Sequence, residues 1–350
     1  MQAARETTVL PVPATTLDAV TPVLFTCAGQ RVDIVTAFKR AGAFTVAADL
    51  NPLSPALHHA DAKLQPPPVA EESYIPAVAA AVQEFEVRLV VPLTDLDQAT
   101  LAEKRHELGA LLLLPDLEAV ERTADKYLTH VFLEEHGFDS PPTWLPEELP
   151  ADLEFPLLVK SRFGYGSRHI FRASDRAELD FFLAYSPVEP IVQAECRGEE
   201  FSIDAFCDLD RRCLNAIPRT MIESKGGESI KGMTIRDEAL IDLGRGVAEA
   251  LELVGPATIQ CFRTPEGRHE ITDVNPRFGG AFPLPVAAGS QYPELALALA
   301  RGEQPEPRVG SFREGVVMTR FFSEVILSPG ASATVSPISE ELPKSVASED

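Results

Sequence analysis

From residue 23 to about residue 115, short apolar runs alternate with amphipathic stretches. Val23 to Phe25 reads as a buried strand, Ala28 to Gln30 as a turn, and Val32 to Arg40 as a helix with one apolar stripe. Thr45 to Ala48 is a second strand ending at Asp49, Ala77 to Phe85 a helix, and Val87 to Val91 a third strand closed by Pro92 and Asp95. Such alternation predicts a parallel sheet covered on both faces. Ligands of these sheets sit at the loops after the strands, which here carry Gly29, Asp49 and Asp95. A nicotinamide domain is disfavoured, because Gly29 stands without the G-x-G-x-x-G spacing that lets backbone approach a pyrophosphate.

The pattern then changes. Pro115 to Gly137 is largely helical, and the prolines between Phe138 and Trp144 break it. Strands follow at Phe155 to Lys160, Arg168 to Phe171, Ile191 to Glu195, Glu200 to Cys207 and Cys213 to Ile217. A helix from Ala239 to Leu253 precedes strands Ala257 to Phe262 and His269 to Val274. The expected fold class is therefore α/β followed by α+β. Residues 1–20 read as a flexible arm, and the Pro, Ser, Glu and Ala content of residues 328–350 predicts a disordered tail.

Composition narrows the function classes. With 350 residues, 45% hydrophobic and 24% charged, the chain has room for two or three ordinary globular domains. No run approaches the ~20 apolar residues of a membrane span, and the start lacks a secretory pattern, so no membrane association is expected. Five scattered cysteines with no CxxC pair argue against a disulfide framework or a zinc site, and the cytoplasm is the expected compartment. His58 and His59 fit a solvated loop better than a metal site. A net charge of −22 without any Lys/Arg run disfavours nucleic acid, although a few converging cations can still hold a phosphate.

Candidate chemistry concentrates between Glu270 and Gly280. Alternation along a strand puts Asp273 and Asn275 on one face, a carboxylate and an amide oxygen suited to a hard cation such as Mg²⁺. Arg277 continues the same direction and can fork onto a phosphate or carboxylate, and Gly279 and Gly280 permit close backbone approach. A polar strand end followed by a turn is the plain alternative. Pairing through the turn at Pro265 to Gly267 would bring Gln260 beside Asp273 as a third oxygen ligand, unless it merely satisfies backbone groups. Lys160 opens a glycine-bearing loop, Ser161 to Ser167, that can fold amides over phosphates or be an exposed turn. The strand from Ile191 can offer backbone groups to a base, and Glu200 can accept from ribose hydroxyls or simply face solvent.

In this order the segments resemble the ATP-grasp superfamily, in the branch similar to half of a carbamoyl phosphate synthase large subunit or to the pyrrolysine-pathway ligase. Asp273-x-Asn275-Pro276-Arg277 is the most specific element, and the resemblance runs from residue 23 to about residue 325. Phe25 to Arg31 with Pro92 to Asp95 resembles the preceding domain, and Asp125 to Tyr127 with Gly137 to Pro141 the start of the grasp fold. It implies a Rossmann-like pre-ATP-grasp domain over residues 21–115 and a two-lobed ATP-grasp fold over residues 116–327, with a small lobe at about 145–215. It also implies ATP and Mg²⁺ as cofactors. Lys126 and Lys160 would meet the phosphates, Gln193, Ala194 and Cys196 the adenine, and Glu200 the ribose. Gln260, Asp273 and Asn275 would hold the metal, and Arg277 a phosphate or substrate. Gln260 and Asp273 depart from the carboxylate and Glu usual in relatives.

The implied reaction is ligation of a small-molecule carboxylate to an amine through an acylphosphate, releasing ADP and phosphate. Arg219 and Arg277 are expected to hold the acid, and Arg219, Lys225 and Lys231 to lie on a mobile flap between Ile217 and Gly232, around Gly226 and Gly227. Lys225 fits a solvated loop equally well. Bicarbonate or carbamate phosphorylation and a non-catalytic nucleotide sensor are the alternatives. The resemblance further suggests a homodimer.

Overall fold

Parallel strands β1 (Thr21–Thr26), β2 (Ala43–Ala48), β3 (Ala62–Leu64), β4 (Leu89–Pro92) and β5 (Leu111–Leu112) form a first sheet in the order β3-β2-β1-β4-β5. The computed structural model describes residues 20–164, 169–225 and 228–327. Residues 1–19 of the expected arm, the tail, Tyr165 to Ser167 of the glycine loop, and Gly226 and Gly227 lie outside the described residues. Helices α1 (Val32–Arg40), α2 (Tyr74–Glu84) and α3 (Gln98–Glu103) accompany the strands. Alternate residues of β1 enter different cores: Val23 and Phe25 join Ile34, Val35 and Phe38, whereas Leu24 joins Val78 and Val82. The expected double-sided parallel sheet is therefore present, and its strand order reverses at β1.

Helices α4 (Leu117–Ala124) and α5 (Lys126–Glu135) replace the single helical stretch expected before Gly137. The break is Asp125, whose carboxylate accepts from the amides of Tyr127 and Leu128 and so caps α5. Beyond it, β6 (Thr143–Trp144), β7 (Leu157–Ser161), β8 (Ile170–Ala173) and β9 (Pro190–Ala194) make an antiparallel sheet in the order β6-β9-β7-β8. Helix α6 (Arg176–Tyr185) packs on it through Leu179, against Leu157, Val159 and Val192.

The largest sheet has six antiparallel strands, β10 (Glu199–Cys207), β11 (Cys213–Lys225), β12 (Glu228–Thr234), β13 (Gly255–Arg263), β14 (His269–Asn275) and β15 (Val317–Thr319), ordered β14-β13-β10-β11-β12-β15. Helix α7 (Glu238–Ala250) covers one face, with Leu240 and Val247 against Ile203, Ala216 and Ile259. On the other face lie α8 (Pro283–Ala288) and α9 (Tyr292–Ala300). There Tyr292 stacks on Phe206 at 5.4 Å, and Phe278 meets Phe38 of α1 edge-on at 6.0 Å. One core thus spans the first sheet and the largest one.

Two expectations are corrected here. The small lobe ends with β9 at Ala194 rather than near residue 215, because β10 and β11 belong to the six-stranded sheet. On either side of Gly226 and Gly227 the expected connection is a β-ladder rather than a loop: Arg219 pairs with Thr234, Thr220 with Met233 and Lys225 with Glu228. Thr220, Met221 and Ile222 favour a strand; the interspersed charges of Arg219, Glu223 and Lys225 disguise it in the sequence.

Candidate functional site

The register of β13 and β14 assembles the oxygen-bearing side chains. Gln260 lies opposite Asp273, and Thr258 opposite Asn275, as pairing through the 265–267 turn requires. Gln260 is also opposite Ser202 on β10, and directly opposed residues share a face. Gln260 Nε2 donates to Glu200 Oε1 at 3.5 Å, Asn275 Nδ2 to Asp273 Oδ2 at 3.1 Å, and Arg277 Nη2 to Asn275 Oδ1 at 3.1 Å. Arg277 Nε reaches across to Asp95 Oδ1 of the first sheet at 3.2 Å. Gly279 is needed here, since a Cβ would stand 2.5 Å from Thr258 Oγ1 and 2.7 Å from Asp204 Oδ1.

Two cations come from other elements. Lys160 on β7 is only 8% exposed, and its Nζ donates to Gln193 Oε1 at 2.8 Å. Gln193 Nε2 in turn donates to Thr143 Oγ1 at 2.8 Å, which fixes the amide so that its oxygen faces the lysine. Burial pushes the Lys160 ammonium down to about 8, against the opposing pull of Asp273. Lys126 opens α5, held in place because Arg162 Nε, at the end of β7, bonds Asp125 Oδ2 at 2.8 Å. Its Nζ donates to Gly164 O at 2.8 Å and stands 3.8 Å from Asp273 Oδ1. Desolvation acts to raise the Asp273 carboxyl, but Lys126, Lys160, the Asn275 amide and Arg277 together hold it below the usual carboxylate value.

These groups surround a cavity of about 390 Å³, within the ~300–1,000 Å³ typical of small-molecule sites. Lys126, Lys160, Gln193, Cys196, Glu200, Gln260 and Asp273 all line it. Leu158, Ile170 and Phe262 give it an apolar wall, with Glu195 and Thr272 beside them. The sequence reading missed this wall, although alternation carries the signal: Leu158 is two residues from Lys160, and Phe262 two from Gln260. Burial, with a smaller contribution from Glu270, pushes the Cys196 thiol up to about 12, so it stays protonated at neutral pH. Burial also raises the Glu200 carboxyl, an effect that the Arg219 charge opposes.

Ala194, Asn275, Arg277 and Arg219 lie outside the cavity wall. Asn275 and Arg277 continue β14 from it, and the Ala194 amide is used by Pro142 O at 2.9 Å. Arg219 is corrected in location. It lies not in a loop but in β11, 2% exposed, with Nε donating to Asp204 Oδ2 at 2.7 Å. Its Nη1 and the Ser202 hydroxyl are buried without hydrogen-bond partners among the described residues.

A family model described as "PylC-like, N-terminal domain" matches residues 23–112, and one described as "ATP-grasp in the biosynthetic pathway with Ter operon" matches residues 187–321. These matches make the chain similar to ATP-grasp proteins, with residues 187–321 fitting an ATP-grasp family model. It is 24% identical over 342 residues to the carbamoyl phosphate synthase large chain of Deinococcus radiodurans, covering 87% of this chain and 32% of that one. It is 24% identical over 236 residues to the arginine-specific large chain of Eremothecium gossypii, covering 59% and 21%. The chain thus spans about a third or less of the length of these curated relatives.

The ATP-grasp fold is equally evident among solved structures. The biotin carboxylase domain of Hydrogenobacter thermophilus 2-oxoglutarate carboxylase, a dimer solved with MgADP and bicarbonate, superposes with a TM-score of 0.71 at 14% identity, covering 86% of this chain and 74% of that one. An L-amino acid ligase from Bacillus licheniformis gives 0.65 at 19% identity, covering 80% and 74%. N5-carboxyaminoimidazole ribonucleotide synthetase from Thermotoga maritima gives 0.61 at 17% identity, covering 83% and 78%. No helix among the described residues is long and apolar enough to cross a membrane.

Proposed function

We propose that the chain is a Mg-ATP-dependent ligase that joins a small-molecule carboxylate to an amine, with release of ADP and phosphate. The observation that carries this reading is the cavity where Lys126, Lys160, Gln193, Cys196, Glu200, Gln260 and Asp273 meet between the four-stranded and six-stranded sheets. The nucleotide would rest its base against Gln193, Ala194, Cys196 and the apolar wall, its ribose on Glu200, and its phosphates on Lys126 and Lys160. Asp273, Asn275 and Gln260 would hold Mg²⁺. A single carboxylate with amide oxygens fits this ion, which keeps several waters and takes phosphate oxygens as ligands. Asn275 Oδ1 is engaged by Arg277, so this set would form as Arg277 turns toward an incoming phosphate or carboxylate. Arg277 and, from beneath, Arg219 would bias that end of the site toward anions.

The bound nucleotide and metal supply a transferable phosphoryl group with its charge partly neutralised. The chain's own residues align the anions and exclude water, which is most of what phosphoryl transfer requires. A homodimer belongs to the same reading, supported by the dimeric H. thermophilus neighbour. The test is a screen of pooled acids against pooled amines, followed by ¹⁸O labelling of the active acid. One label is expected in the released phosphate. AMP with pyrophosphate, or unlabelled phosphate, would overturn the acylphosphate route.

A further inference from the structure

Arg277 bridges two elements that come from opposite ends of the chain. Its Nε meets both carboxylate oxygens of Asp95, at 3.2 and 3.4 Å, while its Nη2 donates to Asn275 Oδ1 at 3.1 Å. Asn275 Nδ2 in turn donates to Asp273 Oδ2 at 3.1 Å. A continuous chain of polar contacts therefore runs from the loop after β4, in the N-terminal sheet, to the carboxylate near the end of β14. Neither Asp95 nor Arg277 makes another ion pair among the described residues.

Both ends of this bridge are held without it. Asp97, two residues beyond Asp95, is buried and accepts from the Tyr74 hydroxyl at 2.7 Å. Gln98 Nε2 donates to Pro276 O at 3.1 Å, a buried bond that ties the loop of Asp95 to the residue before Arg277. The Arg277 amide donates to Asn275 O at 2.8 Å, and Phe278 packs on Phe38 of α1. The two sheets are thus joined independently of the ion pair. What the Asp95 carboxylate adds is charge and direction at the guanidinium. With side chains 19% and 25% exposed, water screens the pair only in part.

We infer that Asp95 is a positioning residue for the proposed metal ligands, an inference that rests on the ligase reading above. An uncompensated Arg277 charge against Asn275 Oδ1 opposes a divalent cation at that oxygen. Asp95 cancels this charge. It also gives the guanidinium a second partner, so that Nη2 can release Asn275 Oδ1 without stranding a half-buried cation. Removing the Asp95 carboxylate therefore acts differently on the two kinds of ligand: it weakens the hold on the cation and does not weaken the hold on an anion.

The test is calorimetric titration of the full chain with ADP, once in excess Mg²⁺ and once in EDTA. The ratio of the two affinities is the readout, and a melting curve controls for the fold. Asp95→Asn should lower this ratio at least about tenfold, with ADP binding in EDTA no weaker than before. Asp95→Glu, which keeps the charge, should hold the ratio within about threefold. Combining Asp95→Asn with Arg277→Met should recover part of the ratio, because the uncompensated cation is gone. The inference is overturned if Asp95→Asn leaves the ratio unchanged, or if the double change recovers nothing, which would make Asp95 a structural tie. If the unaltered chain binds no ADP, or binds it equally with and without Mg²⁺, the ligase reading itself fails and takes this inference with it.

Discussion

Lys160 and Gln193 face each other across neighbouring strands β7 and β9, joined by a 2.8 Å hydrogen bond from ammonium to amide oxygen. Burial of this lysine decides part of the charge state of the cavity. Burial costs the Lys160 ammonium more than Asp273 returns, so it titrates near 8 instead of 10.5. A bound phosphate favours the charged form and raises this value. Nucleotide binding at pH 8.5 should therefore take up a proton, and at pH 7, where Lys160 is already charged, it should not. Calorimetry in buffers of different ionisation heat reads this directly. Affinity should fall by up to about tenfold per pH unit above 8, and Lys160→Gln should abolish both effects.

Removing the carboxylate at the end of β14 tests the metal assignment. Asp273→Ala should lower Mg-dependent ATP turnover by at least about 10²-fold while leaving the fold intact, because the side chain borders a cavity rather than a core. It also removes the pull that keeps Lys160 charged, so the lysine should titrate still lower. A magnesium titration of turnover, with a circular dichroism melt as control, checks both the activity and the fold. Near wild-type turnover would rule Asp273 out as a ligand.

Gly279 gives a structural prediction. Alanine there must displace Thr258 Oγ1 or Asp204 Oδ1, costing about 1–3 kcal/mol in urea unfolding. Adding Thr258→Ala should recover part of this, since it removes one of the two obstructing atoms.

Arg219 and Asp204 form a buried ion pair, 3% and 5% exposed at their side chains. Arg219→Met alone should destabilise by about 3–5 kcal/mol, since it strands a buried carboxylate. The double change with Asp204→Leu should recover most of that loss. A double-mutant cycle in denaturant measures the coupling, and simple additivity would refute it.

Much of this was legible in the sequence, for identifiable reasons. The period-two placement of Asp273 and Asn275 and the short turn before His269 were enough to predict Gln260 beside Asp273. The first sheet was readable because its strands are buried on both faces and nearly all apolar. What escaped depended on partners distant in sequence. β12 and β15 earn their strand state only by pairing with β11 and with each other. Arg219 looked like a loop cation because nothing near it in sequence announces Asp204, fifteen residues earlier.

The ring contacts of Phe278 with Phe38, Phe206 and Phe282 have a practical corollary for engineering. Phe278 sits one residue after Arg277, yet part of its cover comes from Phe38 of α1. The N-terminal sheet is therefore no detachable module. A truncation that begins at the second lobe would expose this aromatic knot and should aggregate, and a chimera with a relative's N-terminal sheet would have to carry a matching knot with it.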